Sequence, residues 1–154
     1  MIRHVWSVLC SKVLVDSQTN NIYLFEVLES VQFMTSQPLT FPANVSFEAT
    51  LVTLWARQDS SQSVQGEMRV RLLAPNGDEL GLVRSEIDLR SSHRSRVTGS
   101  ISGLPIAGDG IHDWEIAWRA REDEAWHVAT SLPLEVSVQV DQPAVSQIDP
   151  PEGT

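Results

Sequence analysis

Cysteine and long apolar runs are what the sequence lacks most clearly. Cys10 is the one cysteine among 154 residues, so an intrachain disulfide and a cysteine-based zinc cluster are excluded. A reducing compartment fits this composition. No apolar run approaches the roughly 18 residues of a membrane-spanning helix, and residues 1–12 are too polar for a signal peptide. The sequence therefore predicts a cytoplasmic protein without a membrane segment.

Positive charge is also scarce. The chain has 11 basic and 20 acidic residues, and its formal net charge is −9. Residues 109–154 hold two arginines against ten carboxylates, so most of the excess lies near the C-terminus. Such a chain repels nucleic acid and anionic lipid surfaces. These partners are excluded, which leaves a protein partner or self-association, for instance as a homodimer.

Alternation of apolar and polar residues is the main pattern, and it indicates β-strands. It is clearest in His112–Ala120 and Trp126–Val140, which flank the polar turn Glu122–Glu124 and predict a hairpin. With this turn, Trp118 lies close to Val128. Strand parity puts seven large apolar side chains on one face of the hairpin, namely Trp114, Ile116, Trp118, Trp126, Val128, Leu132 and Leu134.

A second hairpin is predicted around Pro75–Asp78, whose Asn-Gly pair accepts the positive φ of a tight turn. The apolar positions change parity after Leu82, which predicts a bulge or break near Val83–Glu86. Residues Ile22–Phe33 fit either a helix or a strand, and their β-branched and aromatic content favours a strand. Three further strands are predicted at His4–Asp16, Val45–Trp55 and Val97–Ile101, followed by a loop over Gly103–Gly110.

About eight strands separated by turn signals, without a clear helix, predict an all-β fold. The expected architecture is an antiparallel β-sandwich with an immunoglobulin-like arrangement, and a partly closed barrel is the alternative. Residues 1–140 are expected to form a single domain. Residues 141–154, which contain three prolines and few apolar side chains, are expected to be a disordered tail.

Several short sequence features occur together in this chain: Leu9-Cys10, Val15-Asp16, Asn21-x-x-Leu24-Phe25, Phe41-Pro42 and Leu73–Asp78. In this combination the chain resembles a group of uncharacterised bacterial β-sandwich proteins. These are small cytosolic domains with an N-terminal cysteine strand and a Pro-Asn/Asp-Gly hairpin. The resemblance spans residues 9–138. It implies a β-sandwich fold and no catalytic residues.

No catalytic, cofactor-binding or metal-binding residue is predicted, so the protein is expected not to be an enzyme. The segment Gly99–Gly103 has Ile101 at its centre, where a nucleophile elbow has a serine. Cys10 belongs to an apolar strand, in which a free cysteine is usually buried and inert. The histidines lack the short spacings that gather ligands around one metal ion. They stand at four separate positions: His4, His93, His112 and His127.

One basic cluster departs from the acidic background. Guanidinium groups bind carboxylates and phosphates through paired hydrogen bonds, so the cluster is a candidate interaction patch. Pairing with the acidic C-terminal third of the same chain or of a second subunit, or plain solvation, is the alternative. The patch consists of Arg84, Arg90, His93, Arg94 and Arg96.

The leading hypothesis for function is a non-catalytic protein-interaction or structural module that self-associates through a sheet face or an edge strand. The alternative is a small-molecule or carbohydrate binding module that uses exposed tryptophans, such as Trp6 or Trp55. A hydrolase of unrecognised type is a third hypothesis. Whether the tryptophan side chains lie at the surface discriminates the first two.

Overall fold

A computed structural model describes residues 1–142, and within that range the chain forms nine β-strands and no helix. None of the described residues belongs to a helix that could span a membrane. The predicted tail falls almost wholly on residues 143–154, outside the described range. The strands are β1 (Ile2–Val15), β2 (Ile22–Val27), β3 (Ser30–Thr35), β4 (Ala43–Arg57), β5 (Val64–Leu73), β6 (Glu79–Leu89), β7 (Arg94–Ile106), β8 (Gly110–Arg119) and β9 (His127–Val140).

The strands form two sheets, which confirms the predicted all-β, sandwich-like class. One sheet has the order β2-β1-β4-β7 and the other the order β3-β9-β8-β5-β6. All neighbouring pairs are antiparallel except β3 and β9, which are parallel. The ambiguous segment Ile22–Phe33 is extended, as its β-branched content favours, but it divides into two strands. Glu26, with a φ of 53°, precedes the break, and the two halves then join different sheets.

The core lies between the two sheets and is built by alternate residues of each strand. On β4 the odd positions face inward, so Leu51 and Trp55 are buried. On β8 the even positions do so, and Trp114 and Ile116 pack in the same cluster. The period-two pattern of the sequence is therefore the signature of these half-buried strands.

The register of the C-terminal hairpin differs from the prediction by one residue near its turn. A bulge between Ile116 and Ala117 shifts the pairing, so that Trp118 lies opposite His127 and Ala117 opposite Val128. Val128 is consequently 61% exposed, which contradicts its predicted place on the buried face. Trp126 precedes β9 and packs against arginines on the outer face of the sheet. Alternation alone could not reveal the extra residue.

The predicted bulge near Val83–Glu86 is wrong. Strands β5 and β6 pair without interruption from Val64 opposite Leu89 to Leu72 opposite Gly81. The parity change has two causes: Leu82 faces solvent, and a register shift between Leu72 and Leu73 leaves Leu80 as the extra residue, before the predicted position. The predicted loop Gly103–Gly110 is also too long. Strand β7 continues to Ile106, which the core buries completely.

Strand β1 pairs with β4 only as far as Cys10. Beyond that residue, the β1–β2 hairpin folds back across the outer face of β4 and β7. Its turn reaches β7, where the Arg96 guanidinium donates a hydrogen bond to the Asn20 carbonyl (3.0 Å). Cys10 and Val52 are fully buried although they lie outside the main core cluster. The sheet therefore curls on itself, and one face of the hairpin remains on the outside.

Candidate interaction surface

The outer face of the five-stranded sheet is charged but internally paired. The Glu115 carboxylate accepts a hydrogen bond from Arg71 (2.8 Å) and lies 3.5 Å from Arg69. On the same face Arg119 donates to Glu67 (2.7 Å). These ion pairs are part-buried, so their geometry is defined by packing. Several charges of this face thus pair with one another.

At one end of this face, the Trp126 ring contacts three arginines. The guanidinium of Arg119 lies 4.4 Å from its ring centre, that of Arg69 4.6 Å and that of Arg84 5.7 Å. Cation–π contacts of this kind stabilise by about 0.5–2 kcal/mol each. Burial and the neighbouring Arg71 lower the pKa of Arg69. The arginines are thus committed to the indole and to the carboxylates beside it.

The predicted basic patch is divided between the two sheets. Arg84 lies on β6 near Trp126, whereas Arg94 and Arg96 lie on β7, with Arg96 engaged by the β1–β2 turn. His93 is exposed in the connection between these strands.

Arg90 follows β6 and donates two hydrogen bonds to Asp88 (2.8 and 3.0 Å), which lower the pKa of Asp88 to about 2. The partners of Arg90 are thus Asp88 and Glu86 of its own segment, and the pairing of the patch with the acidic C-terminal third stays a prediction.

The histidines and the cysteine occupy separate environments. His4 packs edge-on against Trp55 at 5.1 Å, and His127 packs against Trp118. Among residues 1–142, no group of three or more metal-ligating side chains comes together.

Cys10 is buried, as predicted, and burial raises the pKa of its thiol. A raised pKa disfavours the thiolate, which is the reactive form.

The tryptophans do not form an exposed binding platform. Trp55, one of the two suggested for ligand contact, is completely buried and donates its indole N–H to Thr53 (2.8 Å). Trp114 is buried, and Trp6, Trp118 and Trp126 are half-buried. Stacking of a sugar on an open indole face is therefore not what this surface offers.

The outside of the β1–β2 hairpin carries the clearest apolar surface. Leu14 lies directly opposite Tyr23, and Phe25 lies one pair further along the same face. Their exposed fractions are 45%, 57% and 46%. On the other face of the hairpin, Val13 and Leu24 are half-buried. Single exposed apolar residues are common, but three neighbours on one edge hairpin form a patch of the kind found at interfaces.

The face itself carries one charged residue. Lys12 pairs with Phe25 across the hairpin, and Glu26 follows on the same strand. We define the hairpin face as Lys12, Leu14, Tyr23 and Phe25. The sequence contained a signal for it, because residues 22–25 are apolar on both strand faces. In a two-layer sandwich, a sheet packs only one of its faces against the core.

No protein-family model matches the chain, and no curated protein matches it. The resemblance to uncharacterised bacterial β-sandwich proteins therefore stays a prediction, and the function has to be argued from the surface itself.

Proposed function

We propose that this protein is a non-catalytic interaction module that self-associates through the hairpin face. The observation that carries the proposal is the cluster of three half-exposed apolar side chains, Leu14, Tyr23 and Phe25, on an edge hairpin. Aromatic residues are enriched at the centres of protein interfaces because they bury a large area at little conformational cost. The paired charges of the other sheet offer no comparable surface.

The charge distribution supports a second copy as the occupant. Two chains of net charge −9 repel each other unless they meet where the local charge is balanced. The hairpin face as defined above contains no acidic residue: its one charged residue is Lys12, and the other three are apolar or aromatic. In addition, β2 is an edge strand of its sheet. Antiparallel pairing of β2 with β2 of a second copy about a twofold axis would satisfy its free backbone groups and join the two faces.

Sedimentation velocity over a range of protein concentrations tests the proposal. We expect the wild-type protein to dimerise, and the double variant Tyr23→Ser, Phe25→Ser to dissociate at least about 30-fold more readily, since central aromatic contacts are worth about 2 kcal/mol or more. Val128→Ser is the matched control, because Val128 is an equally exposed apolar residue on the other sheet. A wild-type chain that stays monomeric, or a double variant that dimerises like the control, would contradict the proposal.

The strand order supports a more specific fold assignment. Strands β9-β8-β5-β6 follow the G-F-C-C′ order of an immunoglobulin-like sandwich, and the adjacent β4 and β7 correspond to B and E. This order supports an immunoglobulin-like arrangement with an added N-terminal hairpin. Sandwiches of this kind present edges and faces to other chains in many adhesion and assembly proteins. The single buried cysteine supports a reducing compartment, in keeping with a cytoplasmic location.

A further inference from the structure

A polar groove lies between the β1–β2 turn and strand β7. The turn lines one side of it, and β7 together with the connection from β6 lines the other. Its volume is about 600 Å³, within the range of about 300–1,000 Å³ that is usual for small-molecule sites. Hydroxyl and amide side chains are frequent in its walls, which include Thr19, Asn21, Ser92, Ser95 and Thr98. The groove is therefore suited to a polar ligand.

Two arginines border this groove. Arg94 and Arg96 are two residues apart on β7, so they share one face of the strand with their Cα atoms about 7 Å apart. That face is the outer one, because Trp55, which pairs with the intervening Ser95, is buried in the core. The Arg96 guanidinium is held in position by its hydrogen bond to the Asn20 carbonyl (3.0 Å). Two guanidinium side chains thus line the same space.

No carboxylate neutralises these two side chains within residues 1–142. The ion pairs of that range use other arginines, namely Arg69, Arg71, Arg84, Arg90, Arg119 and Arg121. Asp88 also borders the groove, but both of its carboxylate oxygens accept hydrogen bonds from Arg90. The groove is therefore locally positive on a chain whose formal net charge is −9. Because salt screens charges over about 8–10 Å, this local balance is what a small ligand meets.

The pair of guanidinium groups favours phosphate over carboxylate. One guanidinium can satisfy both oxygens of a carboxylate through two parallel hydrogen bonds. A phosphate monoester has three free oxygens and a charge of about −1.5 to −2 near neutral pH, so it can pair with two guanidinium groups at once. A nucleic acid would also meet the repulsion of the acidic surface around the groove. A small molecule with one phosphate group avoids most of that repulsion.

We propose that the groove between the β1–β2 turn and β7 binds a small hydroxylated phosphate monoester, with its phosphate group paired to Arg94 and Arg96. The hydroxyl and amide side chains of the groove bond the hydroxyl groups of the ligand. Val15, which lines the groove, has the strand parity of Val13 and so lies opposite to the hairpin face. The site is therefore separate from the hairpin face and does not depend on self-association.

Titration of ¹⁵N-labelled protein with glucose 6-phosphate at constant ionic strength tests the site. We expect saturable shifts of the backbone amide signals of Asn21 and Thr98, which lie on the two sides of the groove. Inorganic phosphate should shift the same signals with lower affinity, and glucose should leave them unchanged. Glucuronate, which has a similar ring and a carboxylate, should bind at least about 10-fold more weakly, because one guanidinium already satisfies its charge.

Arg94→Gln should weaken the binding of glucose 6-phosphate at least about 10-fold, since it removes a charge-assisted pair. Arg96→Gln should act similarly, and the exposed Arg94 keeps the test valid if loss of Arg96 disturbs the turn. Arg121→Gln is the matched control, because it removes one positive charge from an exposed side chain beyond β8. Weaker binding in the two groove variants, with unchanged binding in the control, supports the proposal. Unchanged affinity in both groove variants, an equal loss in Arg121→Gln, equal binding of glucuronate, or shifts that never saturate would overturn it.

Discussion

Two polar side chains, His112 and Thr53, are fully buried in the core. The His112 imidazole lies between two backbone groups: its Nε2 accepts the Ala107 N–H (3.1 Å), and its Nδ1–H donates to the Gly110 carbonyl (3.2 Å). Both bonds hold the tight connection from β7 to β8. His112 is thus a structural bridge, because both of its nitrogens are already used.

Replacement of His112 by alanine should destabilise the protein strongly. The change leaves the Ala107 N–H without its partner, which costs about 1–3 kcal/mol, and it also opens a cavity. We expect a loss of about 2–5 kcal/mol in the free energy of unfolding, measured by urea denaturation. Ile111→Ala, at the exposed neighbouring position, should change it by less than about 0.5 kcal/mol. Similar small effects for both variants would argue against the bridging role.

His4 should give the stability of the protein a pH dependence near neutrality. Burial lowers the pKa of His4 below its ordinary value of 6.5, so between these two values the unfolded chain binds a proton that the folded chain does not. The contribution of neutral His4 to the free energy of unfolding is therefore fully present above pH 6.5. It falls as the pH drops toward the pKa of His4 in the folded chain. Thermal unfolding from pH 8 to pH 5 should show this fall, and His4→Gln should flatten it. The exposed His93→Gln serves as the control, and a fall that survives in His4→Gln would assign it elsewhere.

Among the elements, the β8–β9 hairpin shows what alternation in the sequence can predict and what it cannot. Alternation predicted the two strands, their turn and the inward face at Trp114 and Ile116. It did not predict the bulge after Ile116, because an inserted residue is a property of the pairing of two strands rather than of either strand alone. Beyond the bulge the outward and inward sides of β9 exchange, and Val128 becomes exposed.

A pair of alanine variants measures the consequence of this bulge. Ile116→Ala should lower the free energy of unfolding by about 2–5 kcal/mol, since it removes a fully buried side chain. Val128→Ala should change it by less than about 0.5 kcal/mol. The midpoints of urea denaturation give both values. A large loss of stability in Val128→Ala would contradict the bulge and favour the uninterrupted register, in which both residues share the buried face.

In the molecule as a whole, the sequence predicted the fold class far better than the surface chemistry. Strand alternation depends on which face is buried, and nearly every strand here buries one face, so the two-sheet class follows from it. The hairpin face was harder to recognise, because it belongs to the segment Ile22–Phe33, whose apolar spacing also suits a helix. The open space between the edge strands β6 and β7 could not be predicted, since Gly81 and Gly99, which border it, belong to different sheets.

The predicted basic patch shows a second limit: residues that are neighbours in the sequence can lie apart in the structure. Arg84 and Arg96 are close in sequence, but the chain passes from one sheet to the other between them. Charges that look like one cluster in the sequence therefore serve different neighbours, an indole for Arg84 and a turn carbonyl for Arg96. Sequence proximity is a weak guide to surface proximity in a sandwich, because successive strands often belong to different layers.

The parallel pairing of β3 with β9 has a consequence for biosynthesis. Ser30 pairs with Glu135, so these partners are about 100 residues apart in the chain, and closing so long a loop makes the pairing slow. At a translation rate of about 5–20 residues per second, β3 leaves the ribosome roughly 5–20 s before its partner exists. During that interval Val31 and Phe33, which later pack against the core, have no native neighbour on β9. Seating of β3 must therefore wait for β9, and until then a newly made chain exposes these side chains to chaperones or to another nascent chain.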